Sequence, residues 1–176
     1  MESAITKPAA IPVPAADATP GELVRWAIAQ INQHDVAPLR DMWEGTVEYF
    51  PGLVCTGPDE ISKYFNDLFA AVPDLHLETK GFGEDGENVF FRWQLTGHFS
   101  GDSYQGVAAT GDALEIDGCD HFVIRDGRVV TNHVVSDQMA FARQIGMLPP
   151  DGTLPDRALK GAFNLKTLVV SKLRRH

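Results

Sequence analysis

Hydrophobic positions change period along this 176-residue chain. From Leu23 to Ile31 they recur at helical spacing, with Leu23, Trp26, Ala27 and Ile31 on one face. The preceding TPGE supplies Thr19 as N-cap, Pro20 at the first helical position and Glu22 three residues after the cap, a capping box. The spacing predicts a helix from Pro20 to about Asn32. A short second helix near Ala37–Trp43 follows the His34-Asp35 break. TVEYF, residues 46–50, reads as a short strand stopped by Pro51-Gly52. GPDEISKYFNDLFAAV predicts a longer helix, with Pro58 in its first turn and Asp59 and Glu60 at the positive end of its dipole. There Ile61, Tyr64, Phe65, Leu68 and Phe69 form the apolar stripe, and Pro73 ends it.

Beyond Leu75 the period becomes two. LHLETKGF, VFFRWQLTGHF, GVAAT, ALEIDGCDHFVI and RVVTNHVV read as strands of an antiparallel meander joined by turn residues. A last helix, QMAFARQIG, is capped by Asp137 and closed by Gly146. Helices followed by a run of strands make the fold α+β, with helices on one face of a curved sheet. The Pro/Ala-rich residues 1–18 read as a flexible arm, residues 19–150 as one domain, and residues 151–176 as a separate tail. In the tail, Leu159, Ala162, Phe163, Val170 and Leu173 fall roughly on one helical stripe among Lys and Arg.

The hairpin GCDHFVIRDGRVVTNHVVSD carries the candidate chemistry, because Asp120, His121, Asn132 and His133 interrupt an apolar run. A three-residue loop Arg125-Asp126-Gly127 with a glycine bulge would pair residue 124 with 128 and set Asp120 opposite Asn132. Phe122, Ile124, Val130, Val134 and Ser136 then share the face of that carboxyl–amide pair. Cys119, His121, Val123, Val129, Thr131, His133 and Val135 share the other, with the two histidines diagonal. A carboxyl on an apolar face is pushed toward its neutral form and can donate a proton. The second face is too apolar to stay solvated, which points to a homodimer. Two histidines without a third ligand are poor evidence for a metal, and none is expected.

Charge narrows the partners. Residues 1–150 carry 9 Lys/Arg against 22 Asp/Glu, whereas residues 151–176 carry 6 against 2. An acidic body disfavours nucleic acid. The basic tail could pack on its own body, on a protein partner or on a membrane surface. No apolar run approaches the roughly 18–20 residues of a membrane span. Cys55 and Cys119 lack metal-ligand spacing and read as free buried thiols, and a cytoplasmic location is expected.

RWQLTGHFSG, ATGDALEIDG, IRDGRVV followed by an Asp, and RQIGMLPP, in that order, resemble the SnoaL-like polyketide cyclases and ketosteroid isomerases of the cystatin-like α+β cone superfamily. The resemblance covers about residues 20–148 and implies a cone-shaped antiparallel sheet with N-terminal helices on its concave face. In ketosteroid isomerases an Asp-His-Phe strand supplies a neutral carboxylic acid that donates a hydrogen bond to the developing oxyanion. Here DHF stands at Asp120–Phe122. By the same resemblance the oxyanion Tyr falls at Trp26, the general base near Tyr49 and an aromatic pair at Tyr64-Phe65. The aldol-cyclase acid/base Asp falls at Val134, and the Arg-x-Asp of epoxide hydrolases falls at Arg92-Trp93-Gln94.

The resemblance therefore implies a cofactor-independent cyclase or isomerase acting on a hydrophobic polyketide- or terpenoid-like molecule. Asp120, Asn132 and Tyr49 would be catalytic. Trp26, Tyr64, Phe65, Gln94, Phe122, Val134 and Ser136 would line the pocket. His133, His121 and Asp137 are further acid/base candidates. An epoxide-opening enzyme and a non-catalytic ligand-binding or protein-docking domain are the alternatives.

Overall fold

In the computed structural model, which describes residues 11–173, a six-stranded curved sheet carries helices on its inner face. Helix α1 (Pro20–Ile31) begins at the predicted capping box: Thr19 Oγ1 accepts from Glu22 N, and Glu22 Oε2 accepts from Thr19 N. A 3-10 turn (Ala37–Trp43) leads to β1 (Val47–Phe50) and β2 (Leu53–Thr56), which form a tight hairpin over Pro51-Gly52. Helix α2 (Gly57–Ala71) follows. Strands β3 (His76–Asp85), β4 (Asn88–His98), β5 (Ala113–Arg125) and β6 (Arg128–Ser136) form the meander, and α3 (Gln138–Gln144) closes it. Helix α4 (Leu154–Leu173) forms the tail.

The sheet order is β2-β1-β6-β5-β4-β3. It is mixed, not wholly antiparallel, because β1 joins β6 in parallel with Glu48 beside Asn132. That single parallel pair brings the start of the chain to the last strand and closes the cone. Two segments depart from the strand pattern of the sequence. LVCT, too short to show a period behind Pro51-Gly52, is β2, whereas GVAAT is irregular apart from one bridge between Tyr104 and Val107. The arm predicted over residues 1–18 falls partly outside the described residues; within them Ile11 packs against the core.

The core lies between the helices and the sheet. Val24, Ile28 and Ile31 of α1, Leu39 and Trp43 of the 3-10 turn, and Ile61 and Phe69 of α2 meet Val89, Phe91 and Trp93 of β4 and Ile116 and Ile124 of β5. Helix α4 contributes little to it. Leu154, Leu159, Phe163, Leu165 and Leu168 are all exposed. Asp156 is buried, held by Lys160 and Gly152 N. Among the described residues no helix is long and apolar enough to cross a membrane.

Candidate active site

The β5–β6 hairpin turns more tightly than the glycine-bulge reading required. Asp126 and Gly127 both have left-handed φ, 49° and 74°, and Arg125 pairs with Arg128. This is a two-residue loop of the primed type, whose twist matches that of the strands. A bulge then leaves Val130 without a partner between the Ile124–Val129 and Val123–Thr131 pairs. Beyond it Asp120 lies opposite Val134, and Phe122 opposite Asn132. The predicted Asp120–Asn132 pair is therefore diagonal. The loop and the bulge together shift the ladder by two residues, an even number, so the facing of the side chains beyond the bulge is preserved. Val129 changes sides: it is buried and lines the cavity.

Asp120 and Asn132 meet on the inner face. Asp120 Oδ1 accepts from the Trp93 indole Nε1 at 2.8 Å, and Oδ2 accepts from Asn132 Nδ2 at 3.2 Å. The indole lies over Gly118, its cross-strand partner, where a Cβ would come within 2.6 Å of three ring atoms. Only glycine permits this approach, so Gly118 sets the direction of the Trp93 donor.

Glu48, which no sequence motif marks, completes the group. Along β1 Thr46, Glu48 and Phe50 point inward and are buried, while Val47 and Tyr49 point outward. Asn132, the ladder partner of Glu48 and the donor to Asp120, stands between the two carboxyls. Among the described residues neither Glu48 Oε2 nor Asn132 Oδ1, both buried, has a hydrogen-bond partner. Burial, reinforced by the negative Asp120, pushes the Glu48 carboxyl up to about 8. Burial also raises Asp120, but the donors Trp93 and Asn132 hold it to about 6. Two carboxyls in one apolar space favour a single shared negative charge, and the Trp93 and Asn132 donors favour it on Asp120.

Both carboxyls line a cavity of about 140 Å³ with apolar walls. Tyr64, Phe65, Phe122, Val134 and Ser136 line it as expected from the sequence, together with Phe91, Trp93 and Phe141. Tyr64 stacks on Phe50, their ring centroids 3.7 Å apart. Other candidates lie elsewhere. Tyr49 points to the outer face and stacks on His133. His121 stands directly opposite His133, bonded to Asn88 and stacked on Phe90. Gln94 alternates outward on β4 and donates to Glu115. Trp26 is buried in the core without lining the cavity. Asp137 caps α3, accepting from Ala140 N at 2.8 Å. Cys55 is buried, whereas Cys119 is exposed on the outer face.

Comparison with known proteins agrees with this architecture. The solved structures similar to it include a candidate SnoaL-like polyketide cyclase from Jannaschia sp. CCS1, with a TM-score of 0.65 and 22% identity over 74% of this chain and 93% of that one. IdmH, a candidate polyketide cyclase from Streptomyces antibioticus, matches with a TM-score of 0.62 and 23% identity over 73% of this chain and 99% of that one. AclR, a candidate hydroxylase from Streptomyces galilaeus, gives 0.64 and 23% over 72% and 95%. These likenesses, all below 25% identity, concern the fold. No curated protein matches the sequence. The family model of SnoaL-like polyketide cyclases, however, matches residues 21–145, the span that forms the cone and its two buried carboxyls, and the chain belongs to that family.

Proposed function

We propose that the protein is a cofactor-independent acid/base enzyme, a cyclase or isomerase, acting on a hydrophobic polyketide- or terpenoid-like small molecule held in the cone. The observation that carries this reading is the unequal pair of carboxyls on an apolar cavity wall: Asp120 receives two hydrogen bonds, and among the described residues one Glu48 oxygen has no hydrogen-bond partner. Environments that push two titratable groups apart divide the roles of base and acid.

In this mechanism the Asp120 carboxylate takes a proton from carbon next to a substrate carbonyl. The electron pair of the broken C–H bond moves toward the carbonyl oxygen, and neutral Glu48 donates a hydrogen bond to it. In a cyclisation the resulting carbon nucleophile attacks a second carbonyl of the same molecule, the new alkoxide takes a proton from Glu48, and on product release the proton held by Asp120 passes by way of solvent to Glu48 and restores both groups. In an isomerisation Asp120 returns its proton to a different carbon. Trp93 and Asn132 fix the carboxylate and are positioning residues. The apolar walls exclude water and strengthen each charge interaction. The outer face, where Tyr49, Phe90 and Val135 are exposed, supports a homodimer as part of the same proposal, and a cytoplasmic setting suits the two free thiols.

Exchange of the α-protons of 4-methylcyclohexanone in D2O, followed by NMR, tests the chemistry on a ring of suitable size. The wild type should exceed the buffer rate, and Asp120→Asn should lose on the order of 10²–10⁴ of the excess. Exchange at the buffer rate in the wild type, or unchanged exchange in Asp120→Asn, overturns the proposal.

A further inference from the structure

The cavity of about 140 Å³ is close in size to one that accepts a single benzene ring. Small-molecule sites more often span roughly 300–1000 Å³. A second hollow, of about 690 Å³, adjoins it between β2, α2 and the connection from β4 to β5. The two share Tyr64, Tyr104 and Gln105 as a common wall. In that wall the Tyr64 and Tyr104 phenols lie beside each other, and burial raises the titration of both.

The connection carrying Tyr104 is fixed at both its base and its tip. Gly101 N and Asp102 N donate to the carbonyls of Ala71 and Ala70 at the end of α2, at 3.0 and 2.8 Å. A Cβ on Gly101 would overlap the Ala70 carbonyl oxygen. At the tip Tyr104 and Val107 exchange two backbone hydrogen bonds across Gln105 and Gly106, whose φ values are 49° and 82°. The partition between the hollows is thus a pair of side chains on a braced backbone. Beyond the partition Leu53, paired with the inward-facing Phe50, exposes an apolar side chain, and the Lys63–Asp67 ion pair stands across from it on α2.

We propose that the outer hollow is a second binding subsite of the same site, reached through the Tyr64–Tyr104 partition, and that its ligand is an elongated amphiphile. An oxygen-bearing head the size of one ring occupies the inner cavity, and an apolar chain runs past the two tyrosines onto Leu53. This inference rests on the reading of the inner cavity as the reaction site. It assigns Tyr104 the selection of ligands by length: a compact polycyclic molecule exceeds the inner space, whereas a ring bearing a linear chain divides between the two.

Calorimetric titration with 4-methylphenol and 4-heptylphenol tests it, because the heads are equal and only the chain differs. The wild type should bind 4-heptylphenol about tenfold or more tightly, since each buried methylene adds substantially to affinity. Leu53→Asp, an exposed position that lines the outer hollow and not the inner cavity, should remove most of that advantage and leave 4-methylphenol within about twofold. Ala70→Asp, an exposed position on the α2 wall of the same hollow, provides an independent second variant. Binding of 4-methylphenol without any gain from the chain, or a gain that survives both variants, overturns the outer subsite alone. Binding of neither phenol overturns the inner site and the outer subsite together. Loss of proton exchange in Asp120→Asn with an intact chain-length effect would separate the chemistry from the subsite.

Discussion

Glu48→Gln keeps the shape of a buried side chain and removes one titration. In the folded protein the Glu48 carboxyl titrates at about 8, whereas in the unfolded chain it returns to the ordinary range near 4.5. Between those values the folded state holds a proton that the unfolded state has released. Stability therefore falls as pH rises through this window, and below it the Glu48 contribution no longer changes. From pH 6 to pH 8 the loss from Glu48 amounts to about 2 kcal/mol, each unit being worth roughly 1.4 kcal/mol until the folded value is reached. Asp120 adds little over the same span, because its folded value of about 6 lies at the start of it. For a domain of this size a loss of that order lowers the melting temperature by about 4–8 °C. Calorimetric melts of wild type and Glu48→Gln at the two pH values measure it, and their difference cancels every contribution the two proteins share. The variant should be flatter and should match or exceed the wild type at pH 8. An identical pH slope in the two proteins would refute the placement of a proton on Glu48.

Asp120→Leu removes both the base and the acceptor of Trp93 Nε1, and should lose at least as much proton exchange as Asp120→Asn in the NMR assay while leaving one buried indole donor unpaired. Gly118→Ala drives a methyl group into the Trp93 ring and should cost about 1–3 kcal/mol in denaturant titrations; unchanged stability would refute the close contact. The rate of proton exchange should rise as Asp120 deprotonates near pH 6 and fall as Glu48 deprotonates near pH 8, a bell whose alkaline limb Glu48→Gln abolishes. Truncation after Asp151 should leave one cooperative thermal transition, because α4 exposes most of its apolar side chains; loss of the transition would show that the tail completes the core. Sedimentation as a monomer at micromolar concentration would refute association through the outer sheet face.

The elements that could be read from the sequence are those whose local signals agree. The capping box at Thr19, the stripe from Ile61 to Phe69 and the period of two in β3–β6 each name their structure without help from distant residues. Strand β2 could not be read this way. LVCT is too short to show a period, and its strand pairing comes from β1 across Pro51-Gly52. GVAAT shows the opposite error, since its β-branched and small residues have no neighbouring strand to pair with beyond the Tyr104–Val107 bridge. The parallel β1–β6 pair joins segments more than eighty positions apart, a distance at which a single sequence offers no signal.

The same limits explain the site. Asp120 and Asn132 could be placed on one face because the turn and the bulge displace the ladder by an even number, so facing survives an error in pairing. Facing on β1 had no such protection. It rests on the alternation of Thr46, Glu48 and Phe50, which the resemblance, by drawing attention to Tyr49, obscured. Once Glu48 rather than Tyr49 faces inward, the protonation of Asp120 must be reconsidered. Two carboxyls beside one amide in an apolar space cannot both ionise at low cost. The one with more donors keeps its charge. Trp93 donates to Asp120, because Gly118 lets the indole lie across β5 at that point. A glycine with no chemistry of its own thus favours the charge on one of two acids, the one proposed as the base.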